Sequence, residues 1–324
     1  MISRRHVGCW MLGAVFASSG ISSAAQSAYP NRPIRIILPF PPGGSTDPVA
    51  RLLGQKLTEA WGQAVIVDNR PGGNTIIGTE ALTKAPADGY TLLYTASTHV
   101  INSMVMPNLP FDSFKDFQPV ANLVRTDFLL VVHPSVPAKN LQEFIALARS
   151  KPGAINYAIS GTANPNHLAG EYFGMIAGVK MNNIPYKGGG PAINDLVGGQ
   201  VQAMFSVPTS VIGHVKAGKL RALAYTGEKP LGDLDVPTFA QAGLPNFEMN
   251  SWNGIFAPAG TPKAIVDKLS AELGRILEMP DVKTRLVQQG QDPWYKNADQ
   301  FAAMIASDRQ KYGSIIKAAN IKLD

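Results

Sequence analysis

Two segments of the chain combine small, hydroxyl-bearing residues with a helix start in a way that suits anion binding. They read IRIILPFPPGGSTDP, residues 34–48, and INYAISGTANP, residues 155–165. In each, an apolar strand-like run leads into a loop of small residues, and an Asx-Pro pair then opens an amphipathic helix. Asp47 and Asn164 suit the N-cap, and the proline after each suits the first helical position. Because such a unit forms an anion site, the pair predicts two half-sites facing one anionic molecule.

The residues of these two loops are candidate contacts for a ligand carboxylate. Glycines let the backbone approach a ligand and present its N–H groups, and hydroxyl side chains add further donors. The alternative for both loops is an ordinary tight turn with a helix cap. The candidates in these two segments are Phe40, Gly43, Gly44, Ser45, Thr46, Asp47, Ser160, Gly161, Thr162, Asn164 and, one turn into the second helix, His167.

Charged and titratable residues near the loops have structural alternatives. Asp47 cannot attract an anion, so we expect it to cap its helix and hold the loop, or to meet an ammonium group on the ligand. His167 either makes a structural hydrogen bond or contacts the ligand, since helix N-termini disfavour imidazolium. No arginine stands out as a carboxylate clamp. Arg70 and Arg125 fit either a binding or a structural role.

Other strand-like runs also end in polar residues, and we expect these to face the same ligand-binding crevice as the two loops. Ser97 and Thr98 follow one such run and suit the far end of a dicarboxylate. Tyr186 follows another run and either offers a phenolic donor to the ligand or packs in the interior of its own domain. Ser206 ends a third run and is a further candidate contact.

Motifs for catalysis or metal binding are missing from the sequence. It contains no G-x-S-x-G, no P-loop, no G-x-G-x-x-G after the first strand and no H-E-x-x-H. The five histidines are too dispersed for a metal site by spacing. We therefore expect no enzyme, no metal and no cofactor, although a Ser–His–Asp arrangement in space, and with it a hydrolase, stays open.

The N-terminus has the features of a secretory signal peptide. Arg4 and Arg5 precede the apolar run Val7–Ile21, and small residues offer cleavage sites after Ala24 or Ser27. We therefore predict that residues 1–28 form a cleaved signal peptide and that the mature protein is periplasmic. The single cysteine of the chain lies within this segment, so a mature chain would form no disulfide.

Chain length and net charge limit the number of domains and the class of binding partner. A chain of 324 residues suits two domains with sizeable cores. The net charge of +6 becomes +4 without the two leader arginines, and the basic residues form no run of the kind that binds nucleic acid. We therefore expect no nucleic-acid partner.

Strand-like and helix-like segments alternate along the chain, which predicts an α/β fold with mainly parallel sheets. The predicted strands are Ile34–Leu38, Ala64–Val67, Tyr90–Thr95, Phe128–His133, Ile155–Ile159, Met181–Pro185, Val201–Ser206 and Leu220–Thr226. The predicted helices are Pro48–Trp61, Leu141–Ser150, Pro165–Ala177, Pro262–Glu278, Val282–Gln289 and Ala298–Ala318, of which the last two read as a C-terminal helical cover.

Proline and glycine cluster at Pro107–Pro119 and Glu228–Pro245, where we expect the chain to cross between domains. One lobe then comprises residues 29–126 and 247–324, and the other comprises residues 127–246. Two crossings between α/β lobes form a hinge with a ligand crevice between the lobes.

The sequence resembles the Bug receptors, the extracytoplasmic solute-binding proteins of tripartite tricarboxylate transporters. The resemblance covers nearly the whole mature chain, and the motifs are specific when taken in order. They are YPNRPIRIILPFPPGGSTDPVARLLGQKL from Tyr29, VDNRPGGNTIIGTEAL from Val67, APADGYTLLYTASTH from Ala85, FKDFQPVANL from Phe114, NHLAGEYF from Asn166, IPYKGGGPAINDLVGGQV from Ile184 and VKAGKLRALAYT from Val215.

This resemblance implies a two-lobed periplasmic-binding-protein fold of the Venus-flytrap type II, with a hinge and an interdomain cleft. It implies that residues 40–47 and 160–167 hold a ligand carboxylate, largely through backbone amides and ordered water. The chain departs from the family pattern at Pro41 and Pro42, where Ala is frequent, and at Ala163 and Asn164, where Gly and then Ser or Thr are common.

The expected function is capture of a small organic mono- or dicarboxylate by a monomer that delivers it to a membrane permease. A ligand sensor that signals to a partner is the alternative with the same sequence features.

Overall fold

The structure is a computed structural model that describes residues 29–228, 231 and 234–323. The predicted signal peptide lies outside the described residues. Among the helices that the structure describes, none is long and apolar enough to cross a membrane.

Eleven strands and ten helices follow one another along the described chain. The strands are β1 (Ile34–Leu38), β2 (Val65–Asn69), β3 (Thr91–Ala96), β4 (Phe117–Asp127), β5 (Leu129–Val132), β6 (Asn156–Ile159), β7 (Asn182–Pro185), β8 (Ala203–Ser206), β9 (Arg221–Tyr225), β10 (Asn250–Pro258) and β11 (Asp292–Lys296). The helices are α1 (Asp47–Trp61), α2 (Ile76–Thr83), α3 (Thr98–Val105), α4 (Leu141–Ser150), α5 (Pro165–Ala177), α6 (Gly189–Val197), α7 (Pro208–Lys216), α8 (Lys263–Leu277), α9 (Pro280–Gln288) and α10 (Ala298–Ala318).

The strands form two mixed sheets. The first sheet has the order β11-β4-β10-β3-β1-β2, and the second has the order β7-β6-β8-β5-β9. In the first sheet β1 pairs in parallel with β2 and β3, whereas β10 and β11 run antiparallel to their partners. In the second sheet β6 is parallel to β7 and β8, and β5 is antiparallel to β8 and β9. The α/β class is confirmed, but the expectation of mainly parallel sheets is wrong.

The C-terminal region contains a strand as well as helices. β11 lies between α9 and α10 and pairs with β4 at the edge of the first sheet. The expected purely helical cover is therefore wrong. The sequence of β11 does not indicate a strand, because it contains Pro293 and shows no alternation of apolar and polar residues. All five of its side chains are half-buried, so its pairing with β4 rather than its own pattern makes it an edge strand.

The chain passes between the sheets with a single residue, Phe128, separating β4 from β5. Apolar packing is continuous across this junction, since one buried cluster includes Leu130 and Phe173 beside the second sheet and Trp252 and Phe301 beside the first. Helix α10 packs on α3 and β4 and also on α5, so it contacts both halves of the molecule.

A buried polar contact fixes α10 to the first sheet. Trp252 of β10 is fully buried, and its Nε1–H donates to Asp308 Oδ2 of α10 at 2.7 Å. Its ring packs edge-on against Phe301, with ring centroids 5.1 Å apart.

Candidate functional site

A cavity of about 380 Å³ lies between the two sheets, a size suited to a small organic molecule. Strand ends, loops and helix starts from both sheets form its wall. The lining residues are Phe40, Pro41, Gly44, Ser45, Thr46, Ala96, Thr98, Thr126, Phe128, Ser160, Asn164, Pro165, Asn166, Gly189, Ile193, Met204, Phe205, Ser206, Val207, Ser210, Ser251, Asn253 and Gln291.

Five helices begin at the cavity wall. Thr46 precedes α1, Thr98 opens α3, Asn164 caps α5, Gly189 opens α6 and Val207 precedes α7. A helix N-terminus carries a partial positive charge and unpaired N–H groups. None of the described lining residues bears a formal charge. The backbone dipoles at these helix starts therefore favour negative charge in the cavity.

Asp47 holds the first loop in place but does not cap the helix. Thr46 occupies the N-cap, and Asp47 is the first helical residue. The Asp47 carboxylate accepts from the Gly43 N–H at 3.2 Å, from Arg51 Nε at 3.0 Å and from Asn69 Nδ2 at 3.0 Å. The predicted cap at this position is wrong, because the side chain finds these partners across the loop instead.

Charge and hydrogen bonding keep the Asp47 carboxylate ionised. Burial raises its pKa, but the hydrogen bonds from Arg51, Asn69 and the Gly43 amide outweigh burial and hold the pKa below its ordinary value. Asp47 is absent from the cavity wall, so the expected alternative of an ammonium contact has no support in this arrangement.

The first loop places two unpaired backbone donors at the cavity wall. The amides of Ser45 and Thr46 donate to no group within the described part of the chain, whereas the Gly44 N–H lies 3.4 Å from the Pro41 carbonyl. Because Ser45 and Thr46 line the cavity just before α1, their amides extend the donor set of that helix.

The second loop is built around Asn164, which caps α5 as the sequence predicts. Asn164 Oδ1 accepts from the His167 N–H at 3.0 Å, and Asn164 Nδ2 donates to Ser160 Oγ at 2.9 Å. Ser160 in turn donates through Oγ to Asn166 Oδ1 at 3.3 Å. The polar side chains of this wall therefore satisfy one another.

His167 supports the second loop from behind. Its Nδ1 accepts from the Ala163 N–H at 3.1 Å, which assigns the ring proton to Nε2. Nε2 lies 3.6 Å from Glu171 Oε1, and the side chain is buried and absent from the cavity wall. Ala163 has a φ of 57°, in the left-handed region, so this hydrogen bond holds a strained residue.

The structure divides the predicted ligand contacts into two groups. Those that line the cavity are Phe40, Gly44, Ser45, Thr46, Thr98, Ser160, Asn164 and Ser206. Those outside its wall are Gly43, Asp47, Ser97, Gly161, Thr162, His167 and Tyr186. Ser97 Oγ pairs with Ser251 Oγ at 2.9 Å, and the Tyr186 hydroxyl donates to Asp195 Oδ2 at 2.8 Å. Ligand contact by the first group stays a prediction.

Sequence reasoning missed a polar part of the wall. It consists of Thr126, Ser210, Ser251, Asn253 and Gln291. The Thr126 hydroxyl donates to Gln291 Oε1 at 3.2 Å, which joins the end of β4 to the residue before β11. The alternation of side chains along an extended chain could have indicated Thr126. Thr126 and Phe128 line the cavity, whereas Arg125 and Asp127 line a different pocket.

Arg125 and Asp127 form a separate cluster outside the cavity. Arg125 Nε lies 3.0 Å from Asp127 Oδ2, and Arg125 Nη1 donates to Glu228 at 2.6 Å. Burial raises the pKa of Asp127 to about 6 despite the opposing effect of Arg125. Arg70 likewise pairs with Asp68, at 2.8 Å. Because neither arginine lines the cavity, both fit the structural alternative.

The polar groups of the cavity wall differ from those of a metal centre. No group of three or more His, Cys, Asp or Glu side chains there is arranged to hold a metal ion. The cavity wall offers amides, hydroxyls and carboxamides, which suit hydrogen bonding to an anion.

The family model for the tripartite tricarboxylate transporter family receptor matches residues 49–321. The chain belongs to this family. The resemblance inferred from the sequence motifs is thereby confirmed, and this receptor family is the context for the cavity described above.

Individual relatives agree along nearly the full length. The chain is 35% identical over 317 residues to the protein BugT of Bordetella pertussis (strain Tohama I), covering 97% of each protein. It is 32% identical to an adipate-bound protein of R. palustris, with a TM-score of 0.77, covering 91% of this chain and 99% of that one. It is 31% identical to MatC of Rhodopseudomonas palustris with bound malate, with a TM-score of 0.72, covering 89% and 100%.

These structural similarities confirm the two-lobed periplasmic-binding-protein fold. The cavity is lined by residues from both sheets of this fold.

Proposed function

We propose that this receptor captures a small organic carboxylate in the cavity and delivers it to the membrane permease of a tripartite transporter. The observation that carries the proposal is the uncharged wall at which five helix N-termini begin. Such a wall stabilises an anion through oriented N–H groups, whose interactions with it strengthen when water is excluded. The adipate- and malate-bound relatives support a carboxylate as the ligand class.

We further propose that binding closes two lobes over the ligand. The lobes are residues 29–126 with 247–324, and residues 127–246. The short β4–β5 junction at Phe128 supports the first boundary, since it moves the chain from one sheet to the other. A ligand closes the lobes only to the extent that it binds the closed form better than the open form. Donors from both sheets at one cavity provide that difference.

The proposal places the mature protein in the periplasm after removal of residues 1–28, and it assigns no catalytic role to the chain. Membership of a receptor family supports both points. Ligand capture needs only reversible contacts, and the amide, hydroxyl and carboxamide groups of the wall supply these.

Calorimetric titration of residues 29–324 with a broad panel of mono- and dicarboxylates tests capture. We expect saturable one-to-one binding for at least one acid, with contraction of the protein in small-angle X-ray scattering. Failure of the whole panel to bind would overturn the proposal. Mass spectrometry of the bound acid separates a receptor, which releases it unchanged, from a hydrolase.

Uptake of the identified acid in a strain lacking the gene tests delivery. Loss of uptake supports transport through a permease. Normal uptake with loss of a transcriptional or behavioural response to the acid would instead support a sensor.

A further inference from the structure

We infer that Glu171, which lies outside the described cavity wall, positions the second loop of that wall through His167. The inference rests on the proposed function, because it gives a residue away from the cavity a part in ligand binding. Glu171 acts on His167, and His167 holds the backbone of Ala163. Glu171 is therefore a positioning residue.

Ala163 needs support in the conformation that it has in the second loop. Its φ of 57° lies in the left-handed region, which glycine adopts freely and alanine adopts only at a cost. Ala163 is fully buried and directly precedes Asn164, which lines the cavity. The Ala163 N–H donates to His167 Nδ1 at 3.1 Å. Loss of this bond should let the loop relax away from its present conformation.

The hydrogen bond from Ala163 requires one protonation state of His167. Nδ1 accepts only when the imidazole is neutral and carries its proton on Nε2. In the other neutral tautomer and in imidazolium, Nδ1–H would face the Ala163 N–H, and two donors would meet. His167 lies in the first turn of α5, where the helix dipole opposes imidazolium. The choice between the two neutral tautomers needs a further partner.

Glu171 supplies the group that makes this choice. Its Oε1 lies 3.6 Å from His167 Nε2, and Nε2 is buried without a hydrogen-bond partner in the described part of the chain. At 3.6 Å the carboxylate acts through its charge rather than through a hydrogen bond. Negative charge favours a proton on Nε2 and disfavours the tautomer whose Nε2 lone pair faces the carboxylate.

A second set of contacts holds Glu171 in place and keeps it ionised. Oε1 accepts from the Tyr157 hydroxyl at 2.6 Å and from Asn183 Nδ2 at 3.1 Å. Burial raises the pKa of the Glu171 carboxyl, but the contact with His167 and these two hydrogen bonds outweigh burial and hold the pKa below its ordinary value. Glu171, Tyr157 and Asn183 line a pocket separate from the ligand cavity.

Gly170 makes the contact between Tyr157 and Glu171 possible. A Cβ atom at position 170 would overlap the Tyr157 ring. Gly170 lies inside α5, where glycine is an unfavourable residue. The helix thus contains a poor helix former at the point where the ring passes on its way to the carboxylate.

Nitrogen-15 NMR of histidine-labelled residues 29–324 tests the inference without a ligand. At neutral pH we expect His167 of the wild type to be neutral, with its proton on Nε2. In Glu171→Gln the carboxamide can donate to Nε2, so we expect the Nδ1–H tautomer to become populated and the Ala163 amide to exchange faster. A wild-type His167 protonated on Nδ1, or a tautomer unchanged by Glu171→Gln, overturns the inference.

Titrations with adipate and malate, the acids bound by two relatives, measure the effect on the cavity. Glu171→Gln should weaken binding by at least about fivefold. The control Glu80→Gln removes another half-buried carboxylate, on α2, and should leave affinity within about twofold of wild type.

Two variants of His167 with the same branched shape separate its hydrogen bond from its volume. His167→Leu removes the acceptor and should weaken binding by at least about tenfold. His167→Asn can place Oδ1 where Nδ1 lies and should stay within about threefold of wild type. In the His167→Asn background, Glu171→Gln should have no further effect. Equal losses in the Leu and Asn variants, or an undiminished effect of Glu171→Gln in that background, would overturn the inference.

The outcomes separate this inference from the proposed function. Normal binding by Glu171→Gln and by His167→Leu overturns the inference and leaves carboxylate capture intact. Failure of adipate, malate and the wider panel to bind the wild type overturns the proposed function. The tautomer of His167 in the unliganded protein then still decides whether Glu171 positions the second loop.

Discussion

Asn164 Oδ1 accepts a hydrogen bond from the backbone N–H of His167 at 3.0 Å, and the same Asn164 side chain lines the cavity. One residue thus caps α5 and forms part of the proposed anion site. Asp47 stands at the corresponding start of α1 but makes no cap, since its carboxylate holds Gly43, Arg51 and Asn69. The two helix starts look alike in sequence and are stabilised differently.

Asn164→Asp separates capping from binding. An aspartate caps a helix as well as an asparagine, so the melting temperature should stay within a few degrees of wild type. The added negative charge faces the ligand, and carboxylate affinity should fall by at least about tenfold in calorimetry. The matched control is Asn140→Asp, because Asn140 caps α4 through Glu143 at 2.9 Å outside the cavity wall. Equal affinity losses in both variants would contradict a local charge effect.

Gly44→Val tests the first loop. An added Cβ lies 3.4 Å from the Pro41 carbonyl oxygen, an ordinary contact, and Gly44 has no left-handed φ, so the fold should persist. Because Gly44 lines the cavity, the branched side chain should fill part of it, and ligand binding should become undetectable in titrations. Gly213→Val, on an exposed part of α7 with open space around it, is the control and should bind normally. Near-wild-type affinity of Gly44→Val would refute the role given to this loop.

Asp127 makes stability depend on pH. Burial raises its pKa from 3.8 to about 6, so between these values the folded protein binds more proton than the unfolded chain. Stability from this group is therefore full below about pH 4 and is lost as the pH rises to about 6. Thermal melts of Asp127→Asn should show a smaller loss over this interval than wild type.

Asp235→Asn, at an exposed position, controls for a general effect of removing a carboxylate. Its melting temperature should follow the wild-type dependence on pH. If Asp127→Asn also follows the wild-type curve, Asp127 does not titrate in the folded protein as described.

The contact between Trp252 and Asp308 should contribute strongly to folding stability. Trp252→Phe removes buried ring atoms and leaves an Asp308 oxygen without its 2.7 Å donor, so the free energy of unfolding should fall by about 2–4 kcal/mol. Urea unfolding measures the change. Trp294→Phe, at a half-buried edge-strand position, should cost clearly less. Equal losses would show that ring burial at position 252 is unimportant.

Local signals in the sequence predicted many elements well. β1, α4, α5 and α10 have the predicted bounds, because each combines apolar periodicity with clear turn or cap residues at its ends. The N-cap at Asn164 followed from the same local chemistry. Such features depend on residues within a few positions of one another.

Features that depend on distant partners could not be predicted. β10 is buried along most of its length but contains Asn253 and Gly254, so it shows no alternation, and pairing with β3 and β4 makes it a strand. The partner of Asp47 on β2, Asn69, lies 22 residues away. Ser251, Asn253 and Gln291 reach the cavity only through this sheet order.

The uncharged wall has a consequence for how such a receptor diversifies. In the proposed site, attraction for negative charge comes from the backbone at helix starts, which most point mutations leave in place. The shape of the cavity comes from exchangeable side chains such as Ile193, Met204 and Ser210. After gene duplication, a copy of such a receptor can therefore come to bind a new acid through side-chain replacements alone. The intermediate variants still bind anions.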